Sequence, residues 1–357
     1  MSAGPIPLIS IDPSGYKANF PSFEYPKVIG EYSVKRDHSI ILGRGQARYL
    51  YEEALKNGNP CSFDLSQGFD TFDRKDELEN EKLDDILNWL LLHAESCNSV
   101  RKICHESDFV CYRGTLTRIA ATPFNQGEGW KICAVRLRDV IFLCEYNTEA
   151  KIQQIQSMTL REKMMTYWGF KFEQYMTVPS LKGHPDTEEA VTNKESFSIV
   201  VTNRFGSKPN GPLVLYSAET DCIDSEGDYV ELKTQRQAMQ GRFWQQKSMK
   251  WWIQSFLVGI RSIVVGLRDD SGIVHRLQRL NVKDIPHNAK GWSGAVTFNF
   301  LLSTLQSIKS FLNKCEELEY VMIEYSPGAN HVKVTKLPPK HEFAFLPENF
   351  VRHFNIH

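Results

Sequence analysis

The sequence predicts a mixed α/β (α+β) fold, in which helices accompany a mostly antiparallel β-sheet. Between residues 110 and 337, short segments of alternating apolar and polar residues predict strands. Segments with apolar residues three and four positions apart predict helices between them. No internal repeat or convincing linker divides the chain. We therefore expect an extended N-terminal arm over residues 1–25 and one domain over residues 26–357.

Composition excludes several classes of protein. The 357 residues include 42 Lys and Arg against 43 Asp and Glu, so the formal charge of -1 excludes a broadly basic nucleic-acid coat protein. The hydrophobic fraction of 41% excludes disorder of the whole chain. The 8 cysteines show no CxxC pair and are expected to be reduced, intracellular thiols. We expect no secretory signal and no transmembrane segment, because the most apolar window, 251–267, is short and interrupted by polar residues.

The elements follow in order along the chain. The first residues are rich in Pro, Ser and Gly without a sustained period, which predicts the extended arm. Apolar residues at Leu83, Ile86, Leu87 and Leu90 predict a helix over 76–93 with one buried face. Alternating residues then predict strands over 110–119, 130–137 and 139–146.

Helical spacing returns over 151–175, and a polar loop is expected over 179–194. Turn residues separate the next predicted strands, which are 197–204, 212–219 and 229–234. A helix over 241–257 precedes two predicted hairpins, over 263–280 and 320–337. The helix between these hairpins, over 295–311, has Ser293 as its expected N-cap.

Two charged pairs between residues 217 and 234 are the most informative pattern. Glu219 and Asp221 are two residues apart, as are Glu231 and Lys233. Residues i and i+2 of a strand point to one face, so we expect two adjacent strands to gather three carboxylates and one ammonium in one patch. Such carboxylates repel one another unless a cation lies among them, and an all-oxygen ligand set suits Mg²⁺ or Mn²⁺.

Asp-(x)9-Glu-x-Lys is also the spacing of PD-(D/E)xK nucleases, in which carboxylates hold a divalent metal and the lysine orients or activates a water. The plainer interpretation is a solvated hairpin with charges facing water. Neighbouring segments favour the metal site. Glu173 ends an aromatic helical turn, Gln254 lies on an apolar helical surface, and Arg113 lies in a predicted strand as a structural ion pair or a phosphate clamp.

Five short segments, in this order, resemble the DXO family of decapping and deNADding exoribonucleases. They are Tyr112-Arg113-Gly114, Gly169-Phe-Lys-Phe-Glu173, Glu219-Thr-Asp221, Glu231-Leu-Lys233-Thr and Lys250-Trp-Trp-Ile-Gln254. The resemblance extends over roughly residues 25–345 and depends on the joint order of motifs that are individually short. Tyr112 departs from the family pattern, because many relatives have Trp before the Arg-Gly pair. The resemblance implies a PD-(D/E)xK nuclease-like core, in which mixed β-sheets pack together with flanking helices.

The same resemblance implies roles for individual residues. The implied ligands of Mg²⁺ or Mn²⁺ are Glu173, Glu219, Asp221, Glu231 and the main-chain carbonyl of Leu232. Lys233 and Gln254 would contact the scissile phosphate and position the attacking water, so the implied catalytic residues are Glu219, Asp221, Glu231, Lys233 and Gln254. The implied substrate contacts are Arg113, Tyr112, Gly114, Lys233, Gln254, Glu81, Ser198 and Arg48.

The implied activity is hydrolysis near the 5′ end of RNA, which removes an NAD cap or an unmethylated cap. Removal of a 5′ triphosphate as pyrophosphate and 5′–3′ exonuclease action are further expectations. The yeast members bind a nuclear 5′–3′ exoribonuclease, so the resemblance also implies this partner and a nuclear location, with a cytoplasmic pool left open. Two alternatives stay open: a non-catalytic RNA 5′-end sensor or stabilising partner of a larger exoribonuclease, and a DNA nuclease of the same metal chemistry.

Overall fold

The computed structural model describes residues 4–56, 61–94 and 97–354. The strands are β1 (Ile6–Ser10), β2 (Lys27–Val34), β3 (Ile40–Leu42), β4 (Tyr49–Leu50), β5 (Phe63–Asp64), β6 (Phe109–Tyr112), β7 (Trp130–Leu137), β8 (Val140–Tyr146), β9 (Thr177–Val178), β10 (Ser196–Arg204), β11 (Leu213–Glu219), β12 (Cys222–Ile223), β13 (Tyr229–Arg236), β14 (Ser262–Arg268), β15 (Ile273–Asn281), β16 (Val321–Tyr325) and β17 (His331–Lys336). The helices are α1 (Asp84–Ala94), α2 (Val100–Ile103), α3 (Arg113–Ala121), α4 (Glu149–Gln156), α5 (Leu160–Met176), α6 (Ser248–Leu257), α7 (Ile285–Asn288), α8 (Gly294–Leu312) and α9 (Glu348–His353).

Two mixed sheets form the centre of the molecule. A ten-stranded sheet has the order β1-β17-β16-β7-β8-β6-β11-β10-β2-β3, and a seven-stranded sheet has the order β5-β15-β14-β13-β12-β4-β9. Most neighbouring strands are antiparallel, whereas β6 pairs in parallel with β8 and β11, β13 with β14, and β4 with β12. The predicted fold class, mixed sheets packed with helices, is therefore confirmed.

The layers follow from which strand faces are apolar. The inner faces of both sheets share one core with α3, α6 and α8, in which Ile199, Ile263 and Ile253 are fully buried. The outer face of the ten-stranded sheet packs against α1, α2 and α9. The outer face of the seven-stranded sheet packs against α5 through Trp168 and Phe172. In the part of the chain that is described, no helix is both long and apolar enough to span a bilayer.

The N-terminal arm is extended, but part of it is also a regular element. Strand β1 pairs antiparallel with β17 at the edge of the ten-stranded sheet. Phe23 then stacks on Phe256 of α6, with ring centroids 4.8 Å apart, and the ring centroids of Phe20 and Phe298 of α8 are 5.0 Å apart. The alternation over residues 6–10 is too short to separate a strand from a coil in the sequence alone.

Four predicted elements need correction. The strand predicted over 110–119 is wrong after residue 112, because α3 begins at Arg113. The helix predicted over 76–93 begins only at Asp84. The helix predicted over 151–175 is two helices, because Thr159 and Glu162 form a capping box that starts α5. The helix predicted over 241–257 begins with a π-helical turn, Phe243–Lys247. The strands over 130–137 and 197–204, both hairpins and the Ser293 cap are confirmed.

Candidate metal centre

Glu219 and Asp221 lie where the chain crosses from one sheet to the other. Glu219 is the last residue of β11 in the ten-stranded sheet, and β12 of the seven-stranded sheet begins at Cys222. The expectation that Glu219 and Asp221 share one strand is therefore wrong. So is the expectation that their strand adjoins that of Glu231, because β11 and β13 belong to different sheets. The crossover nevertheless brings Asp221 to β13, where its Oδ2 accepts a hydrogen bond from the Leu232 amide at 2.6 Å.

Strand β13 contributes Glu231, Leu232 and Lys233. Glu231 and Lys233 point to one face, as predicted, and Lys233 Nζ lies 2.5 Å from Glu231 Oε1 and 3.9 Å from Asp221 Oδ2. The amide and carbonyl of one strand residue point to the same side of the strand. The Leu232 amide donates to Asp221, so the Leu232 carbonyl faces the edge of β13 on which Asp221 lies.

Helix α5 brings Glu173 from the outer face of the seven-stranded sheet. Burial raises the pKa of Glu173 well above its ordinary value, and the charge of Asp221 raises it further. The pKa of Asp221 is raised to about 7, first by burial and then by Glu231. Glu219 keeps an exposed surface at the end of β11, and its pKa is also raised, first by the loss of hydration from the protein around it and then by the charge of Glu81. Three carboxylates thus lie close enough to disfavour one another's charge.

Glu231 differs from the other three carboxylates because two cations contact it. Lys233 binds one of its oxygens, and Arg113 Nη1 lies 3.4 Å from the other. Burial alone would raise the pKa of Glu231, but Lys233 and Arg113 outweigh it and lower the pKa to about 2. In return, the carboxylates raise the pKa of Lys233, so the lysine is charged. Four carboxylates against two cations leave an excess of negative charge in the group.

Arg113 reaches this group because of the strand before it. Strands β6 and β11 run in parallel, with Tyr112 beside Ser217, so their carboxyl ends meet at one edge of the sheet. Tyr112 is still extended at a ψ of 153°, and Arg113 is the first residue of α3. Arg113 forms an ion pair with Glu231. The sequence had left two roles open for Arg113, a structural ion pair and a phosphate clamp, and the structure shows the first. Gly114 lies next to Arg113, and a Cβ there would meet nothing within 4 Å.

The other implied substrate contacts lie at unequal distances from the carboxylates. Ser198 is the cross-strand neighbour of Glu219. Glu81 accepts a hydrogen bond from Lys75 at 2.9 Å, and its charge raises the pKa of Glu219 further. Arg48 instead donates to Thr177 Oγ1 at 3.4 Å, and its acidic neighbours are in the polar loop rather than in the carboxylate group.

Gln254 is half-buried on α6. Among the described residues, the Gln254 side chain forms no hydrogen bond with the carboxylate group. The structure therefore brings Arg113, Tyr112, Gly114, Ser198 and Glu81 near the four carboxylates, and it does not bring Arg48 there.

Glu81 and Asp85 form a second acidic group beside Glu219, and no sequence pattern predicted the part played by Asp85. Asp85 at the start of α1 has its pKa raised to about 6, first by burial and then by Glu81. Lys75, half-buried, lies among these acids. The i, i+4 spacing of Glu81 and Asp85 was visible in the sequence, but the predicted helix over 76–93 placed both on a solvated face.

The residues present fit a divalent cation. Within the described residues, no three His, Cys, Asp or Glu side chains are drawn together as a closed ligand set. The donor set is nevertheless oxygen only, with an excess of negative charge and with carboxylate pKa values raised by burial, a combination that favours Mg²⁺ or Mn²⁺ over soft metals. Glu173, Glu219, Asp221, Glu231 and the Leu232 carbonyl are the groups that would hold the ion.

Comparison with known proteins gives a consistent result. The model of the family described as RAI1 like PD-(D/E)XK nuclease matches residues 24–351. The decapping nuclease dom-3 of Caenorhabditis elegans is 36% identical over 344 residues, which cover 94% of this chain and 86% of the relative. The decapping and exoribonuclease protein of Homo sapiens is 31% identical over 363 residues, which cover 96% of this chain and 89% of the relative.

Solved structures show the same fold. Rai1 of Scheffersomyces stipitis, in complex with (3′-NADP)+ and a calcium ion, has a TM-score of 0.81 at 20% identity, and the match covers 99% of this chain and 100% of that one. Rai1 of Candida albicans, in complex with pU5 and Mn²⁺, has a TM-score of 0.80 at 18% identity, with 99% of both chains covered. At these identities the likeness establishes the fold, and the predicted nuclease-like core is confirmed.

Proposed function

The chain belongs to the RAI1-like PD-(D/E)XK nuclease family, and from this membership we propose that it is a metal-dependent hydrolase of RNA 5′ ends. Its substrates would be RNAs with an NAD cap, an unmethylated cap or a 5′ triphosphate, which is released as pyrophosphate. It would also degrade the exposed strand in the 5′–3′ direction. The relatives named as decapping nucleases and exoribonucleases, which align over nearly the whole chain, support this activity.

One observation carries the proposal for this chain. Helix α5, the crossover after β11, and β13 bring Glu173, Asp221 and Glu231 together with Lys233, although Glu173 is remote from the other three in sequence. A bound Mg²⁺ or Mn²⁺ would supply charge stabilisation for phosphoryl oxygens. A solvated hairpin, the plainer interpretation of the pattern, would leave these side chains in water with ordinary pKa values.

The protein's own groups provide the remaining functions. The ammonium of Lys233 contacts Glu231 and approaches Asp221, so it lies at the edge of the carboxylate group with hydrogens to donate to a phosphate oxygen. Arg113, only 12% exposed at its side chain, has a planar guanidinium that can donate to a phosphate while it keeps Glu231 in place. We assign Lys233 and Arg113 to the scissile phosphate, and Gln254 to the same substrate on the family resemblance alone.

The test is to incubate the purified protein with NAD-capped, triphosphorylated and monophosphorylated RNAs, with Mg²⁺ or with EDTA, and to identify released products by mass. We expect metal-dependent release of NAD, pyrophosphate or nucleotides. A matched DNA oligonucleotide should be cut far more slowly, because contacts to the 2′-hydroxyl distinguish the two. If RNA binds but no product is released, the protein is the non-catalytic sensor; if DNA is cut equally well, it is a DNA nuclease.

Two further proposals rest on the family resemblance alone. We propose a nuclear location and an association with a nuclear 5′–3′ exoribonuclease. Imaging of the tagged full-length protein, and purification of its complexes from nuclear extract, test them. A purely cytoplasmic signal, or purification without any 5′–3′ exoribonuclease, would contradict the respective proposal.

A further inference from the structure

Lys247 closes the π-helical turn that precedes α6, and within the part of the chain that the structure describes its charge is not paired with an acid. Its Nζ donates to the neutral amide oxygen of Gln235 at 3.2 Å, and among the described residues no carboxylate forms an ion pair with it. Lys250, one turn further along, differs because its ammonium lies 2.5 Å from Glu128 Oε2. Two lysines on consecutive turns therefore differ in whether their charge is already neutralised.

Gln235 places Lys247 relative to the carboxylate group. Glu231, Lys233 and Gln235 occupy alternate positions of β13, so their side chains share one face of the strand. Each two-residue step along a strand advances about 6.6 Å. Lys247 therefore lies beside Gln235, which follows Lys233 on the strand face that carries Glu231. A nucleic-acid strand that places one phosphate at Lys233 can follow β13 and bring a neighbouring phosphate to Lys247.

Arg268 adds positive charge near Lys247. Arg268, at the end of β14, stacks on Trp168 with its guanidinium 4.4 Å from the ring centroid, and it has no ion-pair partner among the described residues. Its charge lowers the pKa of Lys247, after partial burial as the first cause. Arg268 lies with Trp168 on the outer face of the sheet, whereas Gln235 and Lys247 lie on the other face, so its charge repels Lys247 without a direct contact. An anion bound at Lys247 would relieve that repulsion.

The opposite side of the carboxylate group is acidic. Glu81 and Asp85 lie beyond Glu219, on the side of the ten-stranded sheet, and Lys75 and His38 offset them only in part. A polyanion is repelled from this side and attracted to the side of Lys247. The RNA body carries one phosphate per nucleotide, whereas the 5′ nucleoside also offers hydroxyl groups that carboxylates can accept from.

We propose that Lys247, oriented by Gln235, binds the phosphate next to the scissile one on the RNA-body side, so that the RNA runs along β13 toward the end of β14. This inference rests on the proposed function and adds the direction in which the strand leaves the site. Lys247 binds substrate and takes no part in the chemical step.

The test compares Lys247→Ala with Lys250→Ala as the matched control. Binding of a fluorescent, 5′-monophosphorylated single-stranded RNA is measured by anisotropy, with Ca²⁺ in place of Mg²⁺, over a range of salt concentrations. Loss of one phosphate contact should reduce the slope of log K against log salt by about 0.7 for a single strand. We expect this reduction and a roughly tenfold weaker affinity at low salt for Lys247→Ala, with recovery in Lys247→Arg. Lys250→Ala should keep the wild-type slope.

Hydrolysis measured in parallel separates this inference from the proposed function. Lys247→Ala should raise KM for a long RNA and leave kcat, and KM for a dinucleotide with a single phosphate linkage, near the wild-type values. Equal slopes and equal KM for wild type and Lys247→Ala would overturn the inference, even if wild type is fully active. A Lys247→Ala variant that loses affinity equally for both substrates would also overturn it. If wild type binds RNA without hydrolysing it, the slopes still decide the inference, and the proposed activity alone fails.

Discussion

At the scale of single residues, the four carboxylates differ in their partners. Glu231 contacts the two cations Lys233 and Arg113. Glu173, Glu219 and Asp221 have acidic neighbours whose charge nearby cations do not fully offset. The pKa of Glu231 is accordingly lowered, and burial together with like charges raises the pKa of the other three. Replacing these carboxylates by neutral amides should therefore have opposite effects on the free energy of unfolding, although all four are implied to bind the same metal.

We expect the double variant Glu219→Gln, Asp221→Asn to lose hydrolysis by on the order of 10³-fold, because both acids belong to the group that would hold the metal. Its free energy of unfolding in EDTA should equal or exceed that of wild type, since two repelling carboxylates are removed. The amide oxygen introduced by Asp221→Asn can still accept the hydrogen bond from the Leu232 amide. Product release and chemical denaturation measure the two effects.

Glu231→Gln provides the contrast, because it removes the one acid that has two cationic partners. It should also abolish hydrolysis, but it leaves Lys233 and Arg113 without their shared acid and should lower the free energy of unfolding by roughly 3 kcal/mol. The exposed turn residue Glu226 is the control, since Glu226→Gln should change neither quantity. Retained hydrolysis in the double variant would contradict the assignment of the metal centre.

At the scale of elements, the sequence predicted segments with one clear period and failed where two elements meet. Residues 130–137 and 197–204 alternate over eight or more positions and are strands as predicted. The stretch that begins at Phe109 contains only a four-residue strand before α3, and its apolar residues suit either period. The sequence correctly predicted that Glu231 and Lys233 lie on one face of a strand, because this prediction requires only that alternate residues of a strand share a face. The position of Asp221 depends on a crossover between sheets, which no local pattern encodes.

The contact between α5 and β14 positions Glu173. Phe172 packs against Gly266, where an added Cβ would lie 2.5 Å from Phe172 Cε2. Gly266→Ala should push α5 outward, lower the free energy of unfolding by about 1–3 kcal/mol and reduce kcat, because Glu173 follows Phe172 directly. Gly127→Ala is the matched control, since a Cβ there meets nothing within 4 Å. Unchanged kcat in a destabilised Gly266→Ala variant would show that Glu173 does not depend on this contact.

Glu128 joins α3 to α6 and gives stability a defined pH dependence. It pairs with Arg118 of α3 and with Lys250 of α6. Burial acts to raise the pKa of Glu128, but Lys250, Asn125 and Arg118 lower it to about 2. A carboxyl with a lowered pKa stabilises the fold above its unfolded value, and this contribution is lost as pH falls through the folded pKa.

We therefore expect Glu128→Gln to lower the free energy of unfolding by ~1 kcal/mol at pH 7. The loss is modest because the paired side chains are 31–40% exposed to water, which weakens the ion pairs. The difference from wild type should shrink between about pH 4.5 and pH 2. Denaturation at several pH values measures it, and a difference that is constant or grows at low pH would contradict the assigned pairing.

At the scale of the whole molecule, the site lies where two sheets and an outer helix converge, so it depends on how the layers are held together. Composition predicted a large core and motif order predicted the family. The family resemblance also implied packed sheets with flanking helices. It did not predict that α3, α6 and α8 are the helices that share the core between the sheets, because that depends on contacts between residues far apart in sequence. The N-terminal arm takes part in this packing, although it was predicted to lie apart from the domain of residues 26–357.

The arm should accordingly be required for full stability. Phe20 and Phe23 pack on Phe256 and Phe298, and Ile11 is only 4% exposed in the central core. A chain of residues 26–357 loses these contacts and the pairing of β1 with β17, so it should unfold at a lower temperature, with a loss of at least ~3 kcal/mol. Removal of residues 1–5 alone, which precede β1, should leave the midpoint unchanged. Equal midpoints for residues 26–357 and the full chain would show instead that the arm is dispensable and that the predicted boundary at residue 25 is a true domain edge.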